Sequence, residues 1–85
     1  MRVNALKVRP EVALKIFEEH NILQQEIEDA LQDKPKYLKV GGNQYMAVGL
    51  TSRGYLTIFF RHAHGEAEIT TAYHSSKQHI RRYKS

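Results

Sequence analysis

"QYMAVGLTSRGYLTIFFRHAHGEAEITTAYH", Gln44 to His74, decides the fold. Apolar and polar residues alternate with a period of two, broken at Ser52-Arg53-Gly54 and at His64-Gly65. That pattern predicts three antiparallel strands joined by tight turns. A three-residue loop with Gly54 in the left-handed position sets Thr51 opposite Tyr55. Leu50 then faces Leu56, Val48 faces Ile58, and Met46 faces Phe60. A two-residue turn at His64-Gly65 pairs Ala63 with Glu66, so Phe60 faces Ile69 and Ile58 faces Thr71. Opposed residues share a face, which makes this apolar set the core. The reverse face is expected to carry Tyr45, Ala47, Gly49, Thr57, Phe59, Arg61, Glu68, Thr70, Ala72 and His74. A slip of one residue would reverse these assignments.

Upstream, "KYLKVGGNQY" reads as another hairpin, with Gly41-Gly42 supplying the positive φ of a tight turn. It adds Lys36 and Leu38 to the reverse face. Two helical periods precede it: Val12, Ala13, Ile16 and Phe17, then Leu23, Ile27, Ala30 and Leu31. Pro10 suits the first turn of the first helix, Asn21 its left-handed end, and Pro35 the stop after the second. The first residues form a short edge strand or an extended arm. After His74, Ser75 or Ser76 can cap a last short helix, "SKQHIRRYKS", with Gln78 placed for a capping box. The expected fold is α+β: one domain over residues 1–85, two N-terminal helices on a four-stranded antiparallel sheet, and a short C-terminal helix.

Bulk properties narrow the function. The 85 residues include no cysteine, which excludes disulfides and thiolate metal sites and fits a cytoplasmic protein. No apolar run approaches the roughly 20 residues of a membrane span, and the N-terminus has no apolar signal-peptide region. Charge is divided. Residues 1–33 hold four Lys/Arg against seven Asp/Glu, a net of −3, whereas residues 34–85 hold nine against two, a net of +7. A basic field on one part of a small domain favours a polyanion or an acidic protein partner.

Within that basic part, Arg61 stands in the middle of the reverse face, where a guanidinium could clamp a phosphate through two parallel N–H bonds. The plainer reading is a cross-strand ion pair with Glu68. His62 and His64 share a face, yet no third ligand stands at a recognisable metal spacing, so no metal is expected. His74, with His79 as alternate, can exchange protons near neutrality. The C-terminal "HIRRYKS" sets Arg81, Arg82 and Lys84 on one short helix, a cluster that with Gln78 could neutralise phosphate, and Tyr83 could stack on a base. A solvated basic tail is the bland alternative.

Three segments carry a resemblance: "EEHNILQQEIEDAL", "QYMAVGLTSRGYLTIFF" and "ITTAYHSSKQHIRRY". Together, from Glu18 to Tyr83, the chain resembles the BrnT-type toxins of the RelE/ParE superfamily, with a RelE- or barnase-like fold. The resemblance implies endoribonuclease activity without cofactor or metal, on mRNA either free or ribosome-bound, restrained by a cognate antitoxin in a homo- or hetero-oligomer. It implies that Arg61 and Arg81 bind the scissile phosphate and that His74 transfers a proton. Lys36, Lys39, Tyr45, Lys77, Arg82 and Tyr83 would contact RNA. The superfamily also contains gyrase poisons, so a non-catalytic module binding gyrase, RNA or protein is the alternative. A structural partner in an oligomer is a third reading.

Overall fold

The computed structural model describes residues 5–32 and 35–84, the side chains of His79, Arg82 and Tyr83 excepted. Its elements run β1 (Ala5–Lys7), α1 (Pro10–His20), α2 (Gln24–Gln32), β2 (Lys36–Gly41), β3 (Gln44–Thr51), β4 (Gly54–Ala63), β5 (Glu66–His74) and α3 (Lys77–Lys84). The sheet has five strands in the order β1-β5-β4-β3-β2. The expected four-stranded sheet is thus corrected. β1 joins the edge parallel to β5, with Leu6 opposite Ala67 and packed on the core. Of the two readings of the N-terminal segment, edge strand and extended arm, the structure has the strand at Ala5–Lys7; three residues are too few to show its parallel pairing by pattern.

Both helix junctions follow local chemistry. Pro10 opens α1, and Asn21 ends it in the left-handed conformation, φ 55°, donating its N–H to the Phe17 carbonyl at 2.8 Å. Leu23 precedes α2 and has no capping oxygen, but its N–H donates to Glu26 Oε1 at 3.0 Å. That is the backward half of a capping box. Arg53, in the β3–β4 turn, donates to the same Glu26 oxygen at 3.1 Å and to the Asn21 carbonyl at 3.3 Å. One arginine therefore fastens a sheet turn to the helix–helix junction.

The β2–β3 turn is Gly42-Asn43 rather than the expected Gly41-Gly42, with Gly41 opposite Gln44 and a register shift between Lys39 and Gly41. Two further pairings differ from the sequence reading, each by one residue. The β3–β4 connection is a two-residue turn, with Thr51 opposite Gly54, Leu50 opposite Tyr55 and Ala47 opposite Ile58. Thr51 Oγ1 accepts the Arg53 N–H at 3.1 Å and donates to the Gly54 carbonyl at 2.8 Å, tightening the turn. The slip moves Tyr45, Ala47 and Gly49 to the helix side and Met46, Val48 and Leu50 to the reverse. Packing explains the choice: α2 lies so close to β3 that a Cβ on Gly49 would collide with the Ala30 carbonyl. The second difference is a bulge in β5. Phe60 pairs with Ile69 but Phe59 pairs with Thr71, leaving Thr70 extra. Beyond it Ala72, not Thr71, faces Ile58.

The core follows from this corrected register. Ile16, Ile22, Ile27 and Ala30 of the helical layer close over Ala47, Leu56, Ile58, Phe60, Ala67, Ile69 and Ala72. Each fully buried Ile, Leu or Phe contributes about 1.5–3 kcal/mol relative to exposure. Tyr37 and Tyr45 pack on Phe60, edge-on at 6.0 Å and stacked at 5.9 Å respectively. The reverse face is partly covered as well. α3 contacts β3 there, and Met46, Val48 and Thr57 are buried.

Candidate nucleic-acid interface

The strand register lays out the face opposite α1 and α2 in rows. One row is Gln44, Arg61 and Glu68; the next is Leu38, Met46, Phe59 and Thr71. A third is Lys36, Val48, Thr57 and Tyr73, and a fourth begins Leu50 and Tyr55. α3 closes the end with the third and fourth rows. The Ser75 N–H donates to the Tyr55 carbonyl at 3.0 Å, Thr57 Oγ1 and Ser75 Oγ share a 2.8 Å hydrogen bond, and Lys84 Nζ lies 5.9 Å from the Tyr55 ring centre. The end with the first two rows stays open.

That open end is a depression of about 240 Å³ lined by Gln44, Phe59, Arg61, Thr70 and Thr71, with Tyr45 and Phe60 at its floor strands. The β5 bulge sits in its wall, and Thr70 Oγ1 donates to the Phe59 carbonyl at 3.1 Å. Arg61 is exposed here. Although Glu68 stands opposite it, Glu68 Oε2 instead meets Arg9 Nε at 3.0 Å. Arg61 is left with no ion pair among the described residues. An uncompensated guanidinium beside an aromatic ring and an exposed carboxamide can hold a phosphate and an unstacked base.

Aromatic contacts lead from this depression to the sheet edge. Phe59 lies 5.9 Å from Tyr73, and Tyr73 lies 6.0 Å from His20 at the C-terminus of α1. Among the described residues β1 pairs with residues 66–68 of β5, and later β5 residues have no strand neighbour on that side. On α3, Lys77, Arg81 and Lys84 recur at i, i+4 and i+7, one exposed cationic stripe.

The other expected site residues are distributed over both faces. Arg61 and Lys36 lie on the face away from α1 and α2, and Lys77 and Arg81 lie on α3, which packs there. Tyr45 and Lys39, paired with each other, fall on the helix side. His74 pairs with Leu56, which also puts it on the helix side. Leu56 is five residues from Arg61 along β4, about 17 Å. The expectation that Arg61 and His74 share one face is corrected, and the bulge at Thr70 is the reason. Arg82 and Tyr83 have side chains outside the described residues. His62 turns to the helix side, edge-on to Tyr45 at 6.0 Å, while His64 occupies the β4–β5 turn with φ 53°. Among the described residues no three His, Cys, Asp or Glu side chains cluster to hold a metal. Tyr37 is a packing residue: burial raises its phenol pKa and keeps the ring neutral.

Sequence reasoning missed His20, Gln44 and Tyr73 as members of this region. Correct pairing of β3 would have revealed Gln44. Nothing local in the sequence brings His20 to Tyr73.

The arrangement defines a class of α+β protein in which two helices cover one face of a five-stranded sheet and a short cationic helix lies on the other. A solved protein of the same fold is the Brucella abortus ribonuclease toxin BrnT, whose 1.1 Å crystal structure matches with a TM-score of 0.70. The match covers 86% of this chain and 97% of that chain at 12% identity, so the likeness is one of fold. No family profile and no curated protein match the chain. No helix among the described residues is long and apolar enough to cross a membrane.

Proposed function

We propose that this chain is a small toxin of the RelE/ParE kind, an endoribonuclease that cuts RNA without a metal and is held in check by a cognate antitoxin in the cytoplasm. The observation that carries the reading is the fold shared with a ribonuclease toxin over 97% of that toxin's length. Arg61, exposed and without an ion-pair partner among the described residues, supports it from this chain's own chemistry.

In the proposed reaction a ribose 2′-OH gives its proton to a base as O2′ bonds to the adjacent phosphorus. The P–O5′ bond then breaks and O5′ takes up a proton, leaving a cyclic phosphate and a 5′-hydroxyl. Arg61 and Arg81 hold the phosphate and stabilise its added charge. Lys36, Lys77 and Lys84 attract the flanking backbone. An imidazole moves the protons. His20, in ring contact with Tyr73 two rows from Arg61, and His74, on the other side of β5, are the candidates, each serving a phosphate that reaches beyond the Arg61 row. An acidic, amphipathic antitoxin segment would cover these cations.

The separation of Arg61 from His74 favours a second reading, a non-catalytic module that binds gyrase, RNA or protein through the same face. Sequencing of RNA ends after induction separates the two. The nuclease reading expects new 5′-hydroxyl ends that disappear with Arg61→Ala or Arg81→Ala while the fold persists. Growth arrest without such ends would support the binding module and overturn the nuclease.

A further inference from the structure

We infer that the depression beside Arg61 is a nucleobase subsite for single-stranded RNA, with Phe59 as its stacking surface and Gln44 as a reader that favours adenine. The inference deepens the nuclease reading and rests on it for the identity of the ligand as RNA.

Three chemically different groups converge there. Arg61 and Gln44 oppose each other across β3 and β4, and Phe59 is the next residue of β4 on that face. Neither the guanidinium nor the carboxamide has a hydrogen bond or ion pair among the described residues. Directly opposed polar groups can pair across strands; here both remain available to a ligand at one depression. Phe59 is half-buried rather than sealed in. Its backbone is fixed by the Thr70 hydroxyl at 3.1 Å, and the Tyr73 ring supports it at 5.9 Å. A platform held on two sides loses little freedom when a base settles on it.

The dimensions fit one nucleotide. About 240 Å³ is smaller than the roughly 300–1,000 Å³ of pockets that enclose drug-sized ligands. Positions 59 and 61 are two residues apart on a strand, about 7 Å, a span that one nucleotide bridges from base to phosphate. A paired base hides both its faces and its Watson–Crick edge, so the strand must be single. The carboxamide of Gln44 offers a donor and an acceptor side by side. Adenine answers at N6 and N7 with one of each, whereas guanine presents two acceptors at O6 and N7. Arg61 is thereby left to the phosphate.

The test uses 2′-O-methyl hexanucleotides, which lack the attacking hydroxyl, and measures their binding to the whole chain by fluorescence anisotropy at fixed salt. Oligo-A is expected to bind more tightly than oligo-G, with Gln44→Ala bringing the two together. Phe59→Leu keeps apolar bulk and is expected to weaken oligo-A about tenfold, while Phe59→Tyr restores it. Thermal melting of each variant separates a lost subsite from a lost fold. No binding, equal or tighter binding of oligo-G, or unchanged affinity in folded Phe59→Leu would overturn the subsite. The two readings fail separately. Adenine-selective binding by a chain that cuts no RNA sustains the subsite and sinks the nuclease; cleavage with sites unchanged in Phe59→Leu sinks the subsite alone.

Discussion

Arg9 Nε stands 3.0 Å from Glu68 Oε2, and this contact takes away the carboxylate that faces Arg61 across the strands. Both partners are partly exposed, at 55% and 29%, so the pair itself stabilises the fold by about 0.2–1 kcal/mol. Its consequence is electrostatic. Arg9→Ala should free Glu68 to pair with Arg61 and weaken RNA binding about two- to fivefold, with little change in melting temperature. The double variant Arg9→Ala/Glu68→Ala should recover the affinity. Affinity measured across wild type, single and double variants checks this, and an unchanged single variant would show that Glu68 does not compete for Arg61.

Gly49 is demanded by packing. Its φ is unexceptional, but a side chain there would strike the Ala30 carbonyl of α2. A backbone atom of a helix cannot swing aside as a flexible side chain would. Gly49→Ala should cost about 2–3 kcal/mol and lower the melting temperature by about 8–24 °C. Differential scanning calorimetry measures it directly.

Glu26 is 8% exposed, and its Oε1 accepts from both Leu23 and Arg53 while its Oε2 is buried without a partner among the described residues. Glu26→Ala removes the α2 cap and strands the Arg53 contact, and should destabilise by about 1–3 kcal/mol. Glu26→Gln retains an oxygen for Leu23 and should cost less. Urea melts of Glu26→Ala, Arg53→Ala and the double variant Glu26→Ala/Arg53→Ala, read as a double-mutant cycle, should show coupling between positions 26 and 53.

Burial holds the Tyr37 phenol above its ordinary pKa of 10.0. A group raised in the folded state contributes stability that is present below its unfolded pKa and lost as pH rises through the folded one. Unfolding free energy should therefore fall above about pH 10. Tyr37→Phe, which leaves the edge-on contact with Phe60 in place, should flatten that decline. Denaturant melts from pH 8 to 11 check it.

Much of this architecture was legible from single residues. Pro10 and Asn21 mark both ends of α1, and the parity of Leu56, Ile58 and Phe60 put Arg61 on the face away from the helices. What was not legible depended on contacts distant in sequence or silent in it. The Thr51 hydroxyl tightens the β3–β4 turn by one residue, and only the approach of Ala30 to Gly49 explains why that register serves. Consecutive threonines at positions 70 and 71 give no sign of which is extra, yet the bulge decides where His74 points. Likewise His20 reaches Tyr73 because α1 packs against β5, a tertiary fact that no local spacing contains.

The cleavage claim is tested most directly on the products. Purified chain is incubated with free RNA in EDTA and, in parallel, with message in a translating extract, and the chemistry of the new ends is read. The account predicts 2′,3′-cyclic phosphate paired with 5′-hydroxyl in at least one of the two, absent with Arg61→Ala. Intact RNA in both, or 3′-hydroxyl paired with 5′-phosphate, would contradict it.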